Sequence, residues 1–157
     1  MTDARRGRSE ATRGFPFVVD RHALAVRFRR RLKSTTEGIN RAVNDIIRDA
    51  RGTALEEHKA EIEIALREAL ANAVFHGNRS EPSKKVLVRA YCDPKRGFII
   101  AVRDEGEGFD PSTVPDPRAA DRVELTHGRG IFLMHELMDH VEHRKGGREV
   151  VLFKKFS

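Results

Sequence analysis

Residues 86–104 read VLVRAYCDPKRGFIIAVRD, two apolar runs separated by five residues that include Pro94 and Gly97. Proline presets φ for a turn and glycine tolerates positive φ, so DPKRG is turn chemistry and the flanking runs fold back as a β-hairpin. A hairpin alone is marginal in water and needs a second layer to cover its apolar face.

The remaining segments supply that layer. LAVRFRRRL alternates, with Leu24, Val26, Phe28 and Leu32 on one side and Arg27, Arg29 and Arg31 on the other, which predicts a strand over about 22–32 with one wet face. Arg30 breaks the alternation. TTEGINRAVNDIIRDARG places Ile39, Val43, Ile46 and Ile47 at helical spacing, with Gly52 as a stop. A second helix is predicted from Leu55 to His76, ending where Gly77 can take a left-handed cap. GRGIFLMHELMDHVEH, residues 128–143, reads as a third helix, and REVVLFKKF as a closing strand. Residues 110–127 carry Pro111, Pro115 and Pro117 and no long apolar run; loops of that length are usually functional lids or disordered. The order β-α-α-β-β-loop-α-β predicts an α+β protein. Its expected form is a two-layer α/β sandwich, with a mixed, mainly antiparallel sheet and helices on one face.

Charge is unevenly placed. Residues 1–34 hold ten Lys+Arg against three Asp+Glu, a net of +7, and residues 35–157 hold 20 against 21, a net of −1. The neutral body argues against direct nucleic-acid binding, for which a basic domain is the usual footprint. The basic face of the first strand is either a solvated surface or an edge for phosphates or acids. Residues 1–16 are expected to form a disordered basic arm, with one domain over 17–157. A single cysteine, Cys92, excludes an internal disulfide framework and a Cys-based zinc site, and suits a reducing compartment. The first residues lack the apolar core of a signal peptide. No apolar stretch reaches the ~18 residues of a membrane span, so a cytoplasmic location is expected.

Three stretches carry candidate chemistry. In EIEIALREALANAVFHGN, Glu68, Asn72 and His76 stand four apart and form one polar column beside the apolar stripe. They are either exposed helix residues or a site in which the Asn72 amide oxygen serves a hard cation. In DEGEGFDP, residues 104–111, Asp104 ends an apolar strand, and Gly106 and Gly108 permit either a plain turn or close approach to the backbone. In HGRGIFLM, Gly128 and Gly130 precede an apolar helix. That is either a close-packed helix entry or an anion site of free N–H groups, with Arg129 as a bidentate phosphate contact. Neither a P-loop nor a dinucleotide fingerprint is present.

In this order, EALANAVFHGN, DEGEGFDP and HGRGIFLM resemble the ATP-binding domain of the GHKL superfamily, the Bergerat fold. The similarity is strongest to stand-alone anti-sigma-factor serine/threonine kinases, over roughly residues 20–156. The resemblance implies that Asn72 coordinates a Mg²⁺ ion bridging the ATP phosphates, with His76 beside it at the nucleotide. It implies that Glu68 is the general base toward a partner hydroxyl, and that Asp104 accepts a hydrogen bond from the adenine amino group. Gly106 and Gly108 would admit adenine and a lid over 110–127, and Gly128, Arg129 and Gly130 would hold the phosphates. The cofactors implied are ATP and Mg²⁺. The partners implied are a sigma factor and a STAS-type antagonist protein, with a homodimer also expected of the family. One departure stands out: KGGREVVLF has Arg148 where the family usually has Thr. Two other functions remain open: an ATP-gated protein-binding module without kinase activity, and an α/β domain that binds nucleic acid or an acidic partner through its basic first strand.

Overall fold

The structure, a computed structural model, describes residues 26–50, 52, 54–110, 112 and 126–156. The expected arm over 1–16, the beginning of the first strand, and most of the expected lid lie outside these residues. The elements are β1 (Val26–Lys33), α1 (Thr36–Asp49), α2 (Lys59–Ala71), β2 (Lys85–Asp93), β3 (Gly97–Arg103), α3 (Thr126–Leu137), β4 (His140–Arg144) and β5 (Glu149–Lys155). The strands form one sheet in the order β1-β2-β3-β5-β4. Its four pairings are all antiparallel, so no parallel pair occurs among the described residues.

The β2–β3 hairpin forms as expected, with Asp93 opposite Gly97 at the turn. In β1, Phe28 and Leu32 are buried while Arg29 and Arg31 are exposed. Arg30 faces the helix layer because Asp45 of α1 pairs with it, and its guanidinium lies 5.1 Å from the Phe28 ring centroid. That cation–π contact and ion pair explain the break in alternation.

Helix α1 opens on Thr35, whose hydroxyl accepts from the Gly38 N–H at 3.0 Å, and buries Ile39, Ala42, Val43 and Ile46. Gly52 follows at φ +75°, the left-handed conformation expected of a stop. Helix α2 has no side-chain N-cap bond, a contact typically worth about 1 kcal/mol. It fully buries Ile62, Leu66 and Leu70, and each such burial contributes about 1.5–3 kcal/mol. Packing, not capping, therefore holds α2.

The single helix expected from Leu55 to His76 is three helical forms in succession. Ala54–His58 is a 3₁₀ turn, Lys59–Ala71 is α-helical, and Asn72–Gly77 is a π-helical turn. Gly77 does not take the left-handed cap expected of it. Positive φ falls instead at Arg79 (51°) and Ser80 (55°), and the Ser80 N–H closes the end by donating to the Val74 carbonyl at 2.8 Å.

The third helix is shorter than expected. It runs Thr126–Leu137, and His140–Arg144 is the edge strand β4, paired with β5 through Val141 opposite Leu152. Leu133, Leu137 and Val141 fit helical spacing, but H-V-E-H-R also alternates, and the free edge of β5 decides between the two. The Asp139 N–H donates to the Phe153 carbonyl at 2.9 Å and the Lys154 ammonium to the Leu137 carbonyl at 2.9 Å, so β5 ends the helix and starts the strand.

The main core joins Val86, Val88, Ala90, Phe98, Ile100, Val102 and Leu152 to the buried residues of all three helices. On the other sheet face, Ile99, Ala101, Val151 and Phe153 form a smaller cluster beside Tyr91. Arg89 and Glu149, 8% and 1% exposed, form a buried ion pair at 2.5 Å. No helix among the described residues is long and apolar enough to cross a membrane.

Candidate functional site

The sheet order determines where the site lies. Placing β5 beside β3 sets Arg103 opposite Glu149, so the segment leaving β3 at Asp104 runs alongside the one entering β5 at Arg148. The Asp104 N–H donates to the Arg148 carbonyl at 2.9 Å. The π turn at the end of α2 meets both segments. A cavity of about 500 Å³ opens there, lined by Asn72, His76, Asp104, Gly108, Phe109 and Arg148 among others.

Glycines allow the close packing. A Cβ on Gly77 would lie 2.4 Å from the Asp104 carboxyl carbon, and one on Gly106 would lie 2.0 Å from the Gly77 carbonyl oxygen. Gly108 takes φ +81° and faces the Gly146 carbonyl, which accepts from the Phe109 N–H at 2.9 Å. Gly106 does not take positive φ; its missing side chain is needed for approach, not for conformation. Gly106 and Gly108 thus admit protein backbone, and Gly77 admits the Asp104 carboxylate.

Asp104 is 9% exposed. Burial raises its carboxyl above the ordinary value, while the Gly106 N–H bond and the nearby Arg148 and Lys84 cations act to lower it. Its Oδ1 accepts from the Gly106 N–H at 2.8 Å. The carboxylate thus faces the cavity as a desolvated acceptor.

The polar column divides. Asn72 and His76 line the cavity; Glu68, a turn earlier, does not. A π turn is wider than an α turn, so four-residue spacing across Asn72–His76 does not continue the α-helical line through Glu68. Glu68 and Asn72 still share a neighbour. A Cβ at Gly130 would lie 2.8 Å from Glu68 Oε2 and 3.3 and 3.4 Å from the Asn72 amide atoms. The start of α3 therefore abuts both. Because α3 begins at Thr126, Gly128, Arg129 and Gly130 stand inside its first turns and not ahead of it. The first four N–H groups of a helix lack intrahelical partners, and Gly128 contributes one of them. Arg129 is exposed. Neither it nor Gly130 or Gly106 lines the cavity.

Arg148, the residue that departs from the expected Thr, lies at the Asp104 end. It lines the cavity, its Cγ stands over Gly108, and its Nε donates to the Lys145 carbonyl at 3.1 Å. Two features carried no sequence signal of a site. His143, edge-on to Phe109 at 5.5 Å, lines the cavity from β4, an element the periodicity assigned to helix. Asn78 is buried completely just behind Asp104. Among the described residues no cluster of three or more His, Cys, Asp or Glu could hold a metal. A hard cation here would draw on one amide oxygen, from Asn72, and on oxygens of a bound anion.

The cavity brings a desolvated carboxylate and an amide together, and the first turns of α3 abut that amide from outside the lining. The family model described as "Histidine kinase-like ATPase domain" matches residues 28–154, and the chain belongs to that family. The membership expected from the three motifs is borne out, and with it the α+β fold. Similar proteins include an "Anti-sigma F factor" of Halalkalibacterium halodurans, 32% identical over 88 residues, 55% of this chain and 60% of that protein. Another, of Clostridium perfringens, is 30% identical over 107 residues, 64% of this chain and 75% of the relative. A third, of Heyndrickxia coagulans, is 36% identical over 77 residues, 48% of this chain and 52% of the relative. The chain thus spans less than two thirds of the first and third of these relatives.

Proposed function

We propose that the chain is an ATP-dependent protein serine/threonine kinase of the anti-sigma-factor type. It would phosphorylate a small STAS-type antagonist and bind a sigma factor or similar regulator, from a single domain over 17–157. The observation that carries this reading is the juxtaposition at Gly130, where α3 brings one backbone position against both Glu68 and Asn72. In this reading Asp104 accepts from the adenine amino group, and His76 and Gly108 flank the nucleotide. Asn72 would hold Mg²⁺, which would supply charge neutralisation to the bound phosphates. The α3 N-terminus with Gly128, Arg129 and Gly130 would face the phosphates. Glu68 would take the proton of a partner hydroxyl as that oxygen bonds to the γ-phosphorus and the bond to the β-phosphate oxygen breaks, releasing ADP. Phosphoryl transfer depends chiefly on positioning and charge neutralisation, which these groups supply. The names of the relatives support the choice of partner class, and a cytoplasmic location and a homodimer belong to the same reading.

Calorimetric titration tests the nucleotide. Mg-ATP is expected to bind and Mg-GTP not, because guanine turns a carbonyl toward Asp104 where adenine has a donor. Asp104→Asn is expected to weaken Mg-ATP about 10–100-fold, the scale of one hydrogen bond to a charged group. Binding of neither nucleotide, or no effect of the substitution, would remove the base-reading role.

The pH dependence follows from the raised Asp104 carboxyl. Adenine's amino group favours the ionised form, so Mg-ATP affinity relative to Asp104→Asn should fall as pH drops through the raised value toward 3.8. Folding has the opposite sign, since the native state binds the proton more tightly than the unfolded chain. Wild-type stability relative to Asp104→Asn should decline as pH rises through that window and level off above it.

Arg148 favours a second reading, an ATP-gated binding module without transfer. Partner binding that requires ATP, with no phosphate on the partner by mass spectrometry, would select it.

A further inference from the structure

We infer that Asn78 is the positioning residue for Asp104, and through it sets nucleobase selection. The inference rests on the ATP-binding reading above. Asn78 is 0% exposed, and its amide joins three separate segments. Nδ2 donates to Ser34 Oγ at 3.0 Å, at the end of β1, and to the Lys85 carbonyl at 2.9 Å, at the start of β2. Oδ1 accepts from the Glu105 N–H at 2.8 Å. That last bond fixes the peptide that follows Asp104.

The peptide preceding Asp104 is held from the opposite side, by its N–H bond to the Arg148 carbonyl. Asp104 is thus gripped through both its peptides, by β5 and by Asn78. The grip is reinforced at each contact. Ser34 Oγ, which accepts from Asn78, itself donates to the Lys84 carbonyl at 2.7 Å. Glu105 is tied a second time, its carboxylate accepting from the Lys85 N–H at 2.7 Å. Gly77, the residue before Asn78, presses its Cα face on the Asp104 carboxylate and its carbonyl on Gly106.

The π turn makes this possible. The Asn78 N–H donates to the Ala73 carbonyl at 2.8 Å, five residues back, so one more residue fits in the turn than an α-helix would hold. Gly77 and Asn78 consequently face the 104–106 segment together. A buried amide with both hydrogens and its oxygen engaged leaves little freedom. A carboxylate discriminates bases only if its oxygen is held where the amino group arrives, and small displacements weaken that contact steeply. Asn78 lies behind Asp104 and does not line the cavity, so it acts on the base through Asp104 alone.

The test compares Mg-ATP with the Mg complex of purine riboside triphosphate, which lacks the 6-amino group, by calorimetry on the full chain. Wild type is expected to prefer ATP by about 10–100-fold, the worth of the contact with Asp104. Asn78→Ala should reduce that preference to within about threefold while binding the purine analogue within about threefold of wild type. An unchanged preference, or an equal loss for both nucleotides, overturns the inference, because a general loss of structure moves both together. Where Asn78→Ala does not fold, Ser34→Ala removes one acceptor behind the amide at a residue that does not itself line the cavity. It should lower the preference about threefold with the analogue unaffected, and an unaltered preference overturns the inference. A wild type that binds ATP without preferring it overturns both this inference and the base-reading role of Asp104. A wild type that prefers ATP while Asn78→Ala keeps the preference overturns only this one.

Discussion

Replacing Glu68 with Gln is expected to lower phosphoryl transfer to a serine-bearing STAS-type partner by about 10²–10⁴-fold, the usual contribution of a positioned general base. Mg-ATP affinity should stay within about threefold of wild type. The separation follows from the geometry. Glu68 is half-buried and does not line the cavity, whereas Asn72, one turn on, does. Gln keeps the volume beside Gly130 and removes only the basicity. Transfer followed by labelled phosphate and binding followed by calorimetry give the two numbers. Loss of both, or survival of transfer, would take the proton-accepting role away from Glu68.

Gly106→Ala should remove Mg-ATP binding by more than about 30-fold and also lower the melting temperature, because overpacking typically costs about 1–3 kcal/mol. The added methyl would stand 2.0 Å from the Gly77 carbonyl oxygen and 3.0 Å from Asp104 Oδ1. The first neighbour is backbone and cannot rotate away, so the 104–106 segment must move and carry the carboxylate with it. Gly146→Ala is the matched comparison. Gly146 has φ +63° but nothing within 4 Å of its added methyl. It should lose about 1–2 kcal/mol of stability to the left-handed backbone and keep its affinity. Equal effects at the two positions would mean that backbone strain, and not the contact with Gly77, governs the site.

Much of this architecture was legible because it is written locally. The hairpin is carried by Pro94 and Gly97 between two apolar runs, and α1 by the spacing of Ile39, Val43 and Ile46 and the stop at Gly52. Asp104 stood out as an acid ending an apolar strand. What was not legible depends on partners distant in sequence. His140–Arg144 satisfies two periodicities, and only the unpaired edge of β5 selects strand. The π turn has no composition of its own; it widens where Gly77 and Asn78 meet the segment after β3. Asn78 carried no signal because its three partners, at 34, 85 and 105, are far apart along the chain. For Gly106 the sequence left a plain turn and a close approach both open, and the approach is that of the Gly77 carbonyl.

The order β1-β2-β3-β5-β4 also bears on the timing of assembly. Hairpin β2–β3 can zip early, since its contacts are local, but β5 reaches β3 only after α3 and β4 have been made. Such non-local pairings form slowly. The Arg148 carbonyl that anchors Asp104 arrives with β5, so a nascent chain that stops short of it exposes a carboxylate with one side unheld. Both peptides of Asp104 are therefore held only once β5 lies between β3 and β4.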